Sequence, residues 1–538
     1  MRRLSLLLSI GLASFAAACS SGNGVAPPPP MGNFTNASLK GNYAFSMVGE
    51  DINGQFIARV GSFVADGSGG ISAAFEDVTD AGTNTTVAFG QPSTYNIQAN
   101  GKGTITLATL AGSALQLSIS LNAVAPAGQG LMIQTDLNAT SSGSFSQQNT
   151  AIFTTPFAAS NYVFDFSGVD SAGAATSYVG EIAINAGGVV GSGTVDRYDG
   201  NTPTDPSGPL AINGGGSYVA DPVNNATFGR GTITFGGLSF AYYPVDQTHA
   251  KVLEIDNSSF TSGDFFEQTG AIPSQNSAFT TSFAYLVGGT SFNSVNSFPL
   301  TRAGRFTPDG NGNLTSASIR FDQNNGGAPG CVDPTAGSGC SPSATGTYVI
   351  GTGTNFPVGR GTLSLVIPGQ KATINDVFYM ISPSSFVIQD TSANVIADGS
   401  MASQTGTFTQ AALAGNYIFN LSGQVLPSGG SLAFEEDFVG QYALSTATTK
   451  NITGASDFVE PGSTSNRVPV FLNVAITGTL NVSGDGTQRN GYQLVLNGAS
   501  PSPQINFIGY FTSPQQMFLI GTGTSRVTAG TVVFQPTP

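Results

Sequence analysis

The chain reads as an all-β protein of four tandem antiparallel β-domains, and three features of the sequence lead to that reading. The first is a period of two. Leu115, Leu117, Ile119 and Leu121 alternate with Gln116, Ser118 and Ser120, and Tyr162, Phe164 and Phe166 fall on one face. Side chains that alternate in this way put one face of a strand in a core and the other in water. The second is the turn chemistry between these runs. Asp66-Gly67, Asn100-Gly101, Asp309-Gly310 and Asp485-Gly486 supply the positive φ that tight hairpins require. The third is internal repetition.

Each repeat opens on an aromatic dyad: Tyr43-Ala44-Phe45, Tyr162-Val163-Phe164, Phe283-Ala284-Tyr285 and Tyr417-Ile418-Phe419. A glycine follows at a fixed interval (Gly49, Gly168, Gly289, Gly423), and a second glycine step lies further on at Gly61, Gly180, Gly304 and Gly440. A Gly-basic-Gly-Thr step comes next, at Lys102, Arg230 and Arg360, with Arg489-Asn490-Gly491 in its place in the diverged fourth copy. Each unit closes on a glycine and a glutamine five residues later, ending at Gln148, Gln268, Gln404 and Gln535. A period of about 120 residues is too long for a solenoid and long enough for each copy to own a core. The divisions fall at 37–152, 153–275, 276–408 and 409–538, after a signal peptide (1–18) and a Pro-rich tether (19–36). Seven to nine short strands fit each copy. A meander closed into a small calycin-like barrel is favoured, with an immunoglobulin-like β-sandwich as the runner-up.

Composition narrows the function. Lys+Arg 17 against Asp+Glu 31 gives a net charge of -14, so the chain cannot neutralise a phosphate backbone and no nucleic-acid partner is expected. Hydrophobic residues at 40 % with 37 Phe and 15 Tyr supply ample core. No cofactor is implied.

At the N-terminus, Arg2 and Arg3 precede the apolar run Leu4 to Phe15, then Ala16-Ala17-Ala18 and Cys19. The run is too short for a permanent membrane helix. Small residues before a cysteine resemble the lipobox of bacterial lipoprotein signal peptides. That resemblance implies cleavage before Cys19, lipidation of Cys19, and a chain anchored to the cell envelope, with the outer membrane or cell surface as its place. Pro27 to Pro30 form a stiff spacer behind it. The opening Gly41-Asn42-Tyr43 is similar to the Gly-x-Trp of lipocalin first strands, without the Trp. As a whole the chain resembles repeat-bearing bacterial surface lipoproteins, a likeness that implies no activity.

Cys331 and Cys340 lie close together in Gly-Pro-Ser-rich sequence and are expected to form a local structural disulfide. Asp309, Asn311 and Asn313 have the spacing of calcium-loop oxygen ligands, but Leu314 and Arg320 stand where Gly and a bidentate Glu belong. A hairpin turn is therefore the better account, with no metal expected. His249 is the single histidine, in a turn-like stretch, and is expected to be a solvated loop residue. Glu76-Asp77 and Glu435-Glu436-Asp437 could serve glycoside hydrolysis, but strand neighbours face opposite ways. A role in surface solubility is expected for them. The recurring Asp77, Asp196 and Asp322 are expected to cap turns, and Lys102, Arg230 and Arg360 to blunt strand edges. Three functions remain, in this order: a structural or adhesive surface scaffold meeting a glycan or protein partner, a carrier of small apolar ligands inside its barrels, and a polysaccharide hydrolase. Catalytic residues are not expected.

Overall fold

The computed structural model describes residues 32–536, except 111, 124–127, 137, 201–206, 294–295, 336–338, 352–358, 369–372, 410–411, 427–432, 446–449, 460–469, 483–487 and 498–503. Cys19, the signal peptide and most of the tether lie outside the described residues. The chain is all-β, and its four repeats are four antiparallel β-domains, of which the first, second and fourth are closed eight-stranded barrels and the third is a barrel whose ladder is left open. In barrel 1 the strands Lys40–Asp51, Phe56–Asp66, Gly70–Asp80, Ser93–Ile97, Lys102–Ala108, Ala114–Leu121, Gln129–Gln134 and Ala139–Gln147 follow one another round a ring. The opening strand pairs with both the second and the closing strand, as in Phe45↔Gly61 and Phe45↔Phe145. A further strand, Thr83–Ala88, hangs on the third. Barrel 2 repeats this plan with Ser207–Ile212 as its hanging strand, and barrel 4 is a closed ring from Gly415–Val425 to Arg526–Gln535. The meander barrel is thus the observed architecture, and the sandwich is set aside.

Barrel 3 closes differently. Its third strand is broken into Asn313–Leu314 and Arg320–Asn325 by a 3-10 turn over Ser316–Ser318. The first piece pairs with Thr345–Ile350 and the second with Ser297–Phe306, so covalent chain completes the ring where the ladder is interrupted. Cys331 and Cys340 are joined in a disulfide beside this break, with Cα atoms 4.8 Å apart.

The repeated dyad builds the cores. Tyr43 and Phe45, Tyr162 and Phe164, Phe283 and Tyr285, and Tyr417 and Phe419 all point into their barrels and are buried. The second dyad ring needs the glycine across the ladder. A Cβ on Gly61, Gly180, Gly304 or Gly440 would lie 2.8, 2.5, 2.9 or 2.6 Å from the ring of Phe45, Phe164, Tyr285 or Phe419. Leucines, isoleucines and further aromatics fill the rest of each interior. The lumens expected of a carrier are therefore occupied by side chains among the described residues.

The barrels are not separate beads. Each packs against the next, and barrel 4 packs against barrel 1, so the four form a closed ring. Outward-facing residues supply an apolar seam at every joint: Ala44 and Val60 with Leu253, Val163 and Val179 with Val377, Ala284 and Ala303 with Ile520, and Ile133 with Val439 and Val459.

Candidate functional site

The polar residues that recur in the sequence meet at these joints. The third strand of barrel 1 turns Asp77 outward, where Arg230 of barrel 2 grips it with two hydrogen bonds, Nε to Oδ2 at 2.8 Å and Nη2 to Oδ1 at 2.7 Å. Tyr243 adds its hydroxyl at 2.6 Å. Barrel 2 offers Asp196 to Arg360 at 2.8 and 2.7 Å and to Tyr379 at 2.6 Å. Barrel 3 offers Asp322 to Arg489 Nη2 and to Tyr510, both at 2.6 Å. Two-pronged guanidinium–carboxylate pairs of this kind fix orientation as well as register. Burial first, and then the adjacent aspartate charge, push the Tyr243, Tyr379 and Tyr510 hydroxyls far above the ordinary tyrosine range, so they stay donors.

The fourth joint returns to the start of the chain. Lys102 of barrel 1 bonds Asp457 of barrel 4 at 2.6 Å and Asn473 at 3.1 Å, and both members of the ion pair are buried. The terminal glutamines trace the same circuit. Gln148 donates to the Pro244 carbonyl at 2.8 Å, Gln268 to Met380 at 3.0 Å and Gln404 to Phe511 at 2.8 Å. Gln535, at the end of the last strand, donates to Leu121 of barrel 1 at 2.7 Å.

These contacts correct several expectations. Asp77, Asp196 and Asp322 are joint acids, not turn caps. Arg230 and Arg360 hold Asp77 and Asp196, Arg489 holds Asp322 and Lys102 holds Asp457, so Lys102, Arg230 and Arg360 are joint bases and not edge charges. Glu76, Asp77, Glu436 and Asp437 are buried and serve no surface solubility. Glu76 pairs with Arg59 and Glu436 with Arg526 inside their barrels. His249 lies at the start of strand His249–Glu254, with Nε2 2.6 Å from Asp264 and its ring stacked on Phe266 at 4.7 Å. Lys251 reaches across to Ser46 and Ser144 of barrel 1 at 2.9 and 3.2 Å and faces Asp264 at 3.4 Å. Despite its burial, Asp264 is held well below the ordinary carboxylate range by Lys251 and His249. Asp309 accepts from the Asn311 and Asn313 amides and from the Asn313 side chain, which is a turn cap. Asp66 makes the corresponding bonds to Ser68 and Gly70 in barrel 1.

The axis of the ring is not filled. A cavity of about 960 Å³ opens there, lined by residues of all four barrels. Val48, Phe56, Phe260 and Leu286 give it apolar walls, and Glu50, Asp170, Asp398 and Glu435 give it carboxyl groups. Among the described residues, no lysine, arginine or histidine lines it. Burial raises Asp398 to about 6, partly offset by its contact with Asp165 of barrel 2. Asp165 itself is pushed up by burial and then by the Asp398 charge. One proton shared between these facing acids removes the repulsion that two ionised carboxylates would suffer.

No family model matches this chain, and no curated protein matches it. Among solved structures it is similar to a transferrin binding protein B vaccine antigen from Haemophilus parasuis, at 10% identity and a TM-score of 0.20, covering 81% of this chain and 87% of that one. It is also similar to the isotype 1 transferrin binding protein B from serogroup B Neisseria meningitidis, at 9% identity and a TM-score of 0.21, covering 75% and 82%. Likeness at that level carries no argument about arrangement or partner.

Proposed function

We propose that this chain is an envelope-tethered, non-catalytic scaffold that presents a rigid ring of four barrels to a glycan or protein partner on the cell surface. The observation behind this reading is how the charged residues are spent. Three of the acids nominated for chemistry by the sequence, Glu76, Asp77 and Glu436, are consumed by ion pairs that lock one barrel to the next or brace a barrel from inside. The barrel interiors are packed with aromatic and aliphatic side chains. Rigid elements of this kind hold surface loops in fixed relative positions, which lowers the ordering cost of binding a partner. A lipid on Cys19 and the prolines that follow would hold the ring off the membrane.

Two experiments test this. Labelled fatty acid should enter the full-length chain in a bacterial host and fail to enter Cys19→Ser; equal labelling of both excludes that anchor. The mature chain, immobilised through its N-terminus, should bind components of a glycan and surface-protein array saturably and leave a polysaccharide panel intact. Turnover that persists through purification and disappears in Asp437→Asn would establish the hydrolase instead.

A further inference from the structure

The cavity on the ring axis has a specific chemistry that the scaffold reading does not use. Three strands of barrel 3 lie abreast at its wall. Gly288 on the opening strand pairs with Asp398 on the closing strand to one side and with Thr301 on the second strand to the other. All three line the cavity. A Cβ built on Gly288 meets nothing within 4 Å, so the glycine is a bare notch facing open space. The equivalent positions in the other barrels carry Val48, Ser167 and Ser422. Successive strands lie about 4.8 Å apart, which leaves a carboxyl and a hydroxyl flanking a gap of about 10 Å between backbones.

We propose that this notch binds a small organic ammonium ion with an apolar body. The Thr301 hydroxyl is an independent pointer to a ligand. It is 7 % exposed, lines the cavity and has no hydrogen-bond partner, and a buried hydroxyl left unpaired is costly unless something else satisfies it. The ammonium head sits over Gly288 between the Asp398 carboxylate and Thr301. Its hydrocarbon lies along Leu286 and Phe260, which line the same cavity. Charge complementarity selects against the alternatives. Glu50 and Glu435 also line the cavity and, among the described residues, no cationic side chain does, so an anion is repelled and a neutral molecule gains hydrogen bonds but no charge attraction from the acids. A bound cation also relieves the Asp165–Asp398 confrontation, because it supplies the positive charge now supplied by a shared proton. This site stands apart from the outer surface assigned to the scaffold function and does not depend on it.

The test is calorimetric titration of the mature chain with hexylamine, hexanol and hexanoate at neutral pH. Hexylammonium is expected to bind at one site, at least about tenfold tighter than the alcohol or the carboxylate. Gly288→Leu fills the notch without touching barrel packing and should abolish that binding with the melting temperature unchanged. Gly288→Lys supplies its own ammonium and should also abolish binding, with a melting temperature equal to or above that of the parent. Asp398→Asn should weaken the amine by about tenfold and leave hexanol unaffected. Hexylamine binding no tighter than hexanol overturns the proposal, as does either folded Gly288 variant binding hexylamine like the parent.

Discussion

Three of the four joints in the ring share one design, and the fourth departs from it. Between barrels 1 and 2, 2 and 3, and 3 and 4, an aspartate is held by an arginine fork and a tyrosine hydroxyl. Where barrel 4 meets barrel 1 the base is Lys102, and Ser120 stands in the slot of Tyr243, Tyr379 and Tyr510, its hydroxyl buried without a partner. Electrostatics follow the chemistry. Burial works against the Arg360 guanidinium, but the Asp196 hydrogen bond and charge outweigh it and hold the group above its ordinary range. Burial pulls the Lys102 ammonium below its ordinary value, and Asp457 opposes this only in part. The backbone differs too. Asn149, Thr269 and Thr405 each donate an amide to the next barrel, at 2.7, 2.8 and 2.8 Å, whereas the residue after Gln535 is Pro536, which has no N–H to give. Among the described residues, the joint that no peptide link supports also lacks the arginine fork, the tyrosine hydroxyl and the strand-end amide bond that the other three share. The ring is therefore expected to open there first.

Acidity tests both kinds of joint at once, and its effect is expected to be the largest because several acids act together. Asp398 and Glu181, at the joint of barrels 2 and 3, are raised by burial to about 6 and about 7. Asp437, in barrel 4 facing barrel 1, is raised by burial to about 8, with Glu436 and Glu50 as its charged neighbours. A carboxyl whose folded value exceeds its unfolded one near 3.8 contributes stability that is fully present below that value and is lost as pH rises through the folded value. Stability, and with it the melting temperature, should therefore fall between about pH 4 and about pH 8, by several kcal/mol in total, and level off above that. Asp437→Asn should flatten the upper part of that fall and Asp398→Asn the lower part. A melting temperature that rises over this window would show that these acids are ionised in the fold.

Removing one base from each kind of joint sharpens the contrast. Arg360→Leu leaves Asp196 in a buried site with the Tyr379 hydroxyl and no guanidinium, and should cost about 3–5 kcal/mol in urea unfolding. Lys102→Met leaves Asp457 with the Asn473 backbone amide and should cost less, about 1–3 kcal/mol. Its signature should be local: faster amide exchange in strands Lys102–Ala108 and Arg526–Gln535, with the other three joints protected. Equal costs with equal global exchange would mean that the closing joint is as firm as the rest.

Much of this architecture is legible in the sequence, and what is not has identifiable causes. The strand period, the dyads and the glycine steps declare four β-domains because each is a local requirement of one barrel. The recurrence of Asp77, Asp196 and Asp322 and of Lys102, Arg230 and Arg360 is equally visible, but their partnership is not. Each acid pairs with the base of the following repeat, and nothing local marks that offset. Asp457 lies 17 residues past Gly440, between the 16, 16 and 18 that separate its counterparts from Gly61, Gly180 and Gly304, a signal that places it in the same series. The recurring glutamines carried the same message. The notch at Gly288 is hidden for another reason, since an outward-facing glycine has meaning only once three other barrels enclose the space in front of it.

The smallest expected effect compares two of those glutamines. Gln404 donates to the Phe511 carbonyl at 2.8 Å and accepts from Arg305 Nε at 3.0 Å, whereas Gln535 donates to the Leu121 carbonyl at 2.7 Å, so Gln535→Ala removes a neutral hydrogen bond worth about 1 kcal/mol and Gln404→Ala removes such a bond and a charge-assisted one. Their surroundings differ. Gln404 is followed by Thr405, whose amide still ties barrel 3 to the Thr512 carbonyl of barrel 4, and Arg489 and Tyr510 hold Asp322 nearby. After Gln535 comes Pro536, and among the described residues the polar ties left at this joint are Lys102 with Asp457 and Asn473, Asn420 with the Met132 carbonyl and Gln424 with Glu50. Gln404→Ala should therefore lower global stability by more than Gln535→Ala does, about 2 kcal/mol, and leave exchange at its joint governed by global unfolding. Gln535→Ala should change global stability by no more than about 1 kcal/mol, yet raise the rate of limited proteolysis near the C-terminus, because cleavage there samples a local opening of the ring. Equal proteolysis of the two variants would mean that the continuous chain, and not the polar ties, sets the strength of every joint.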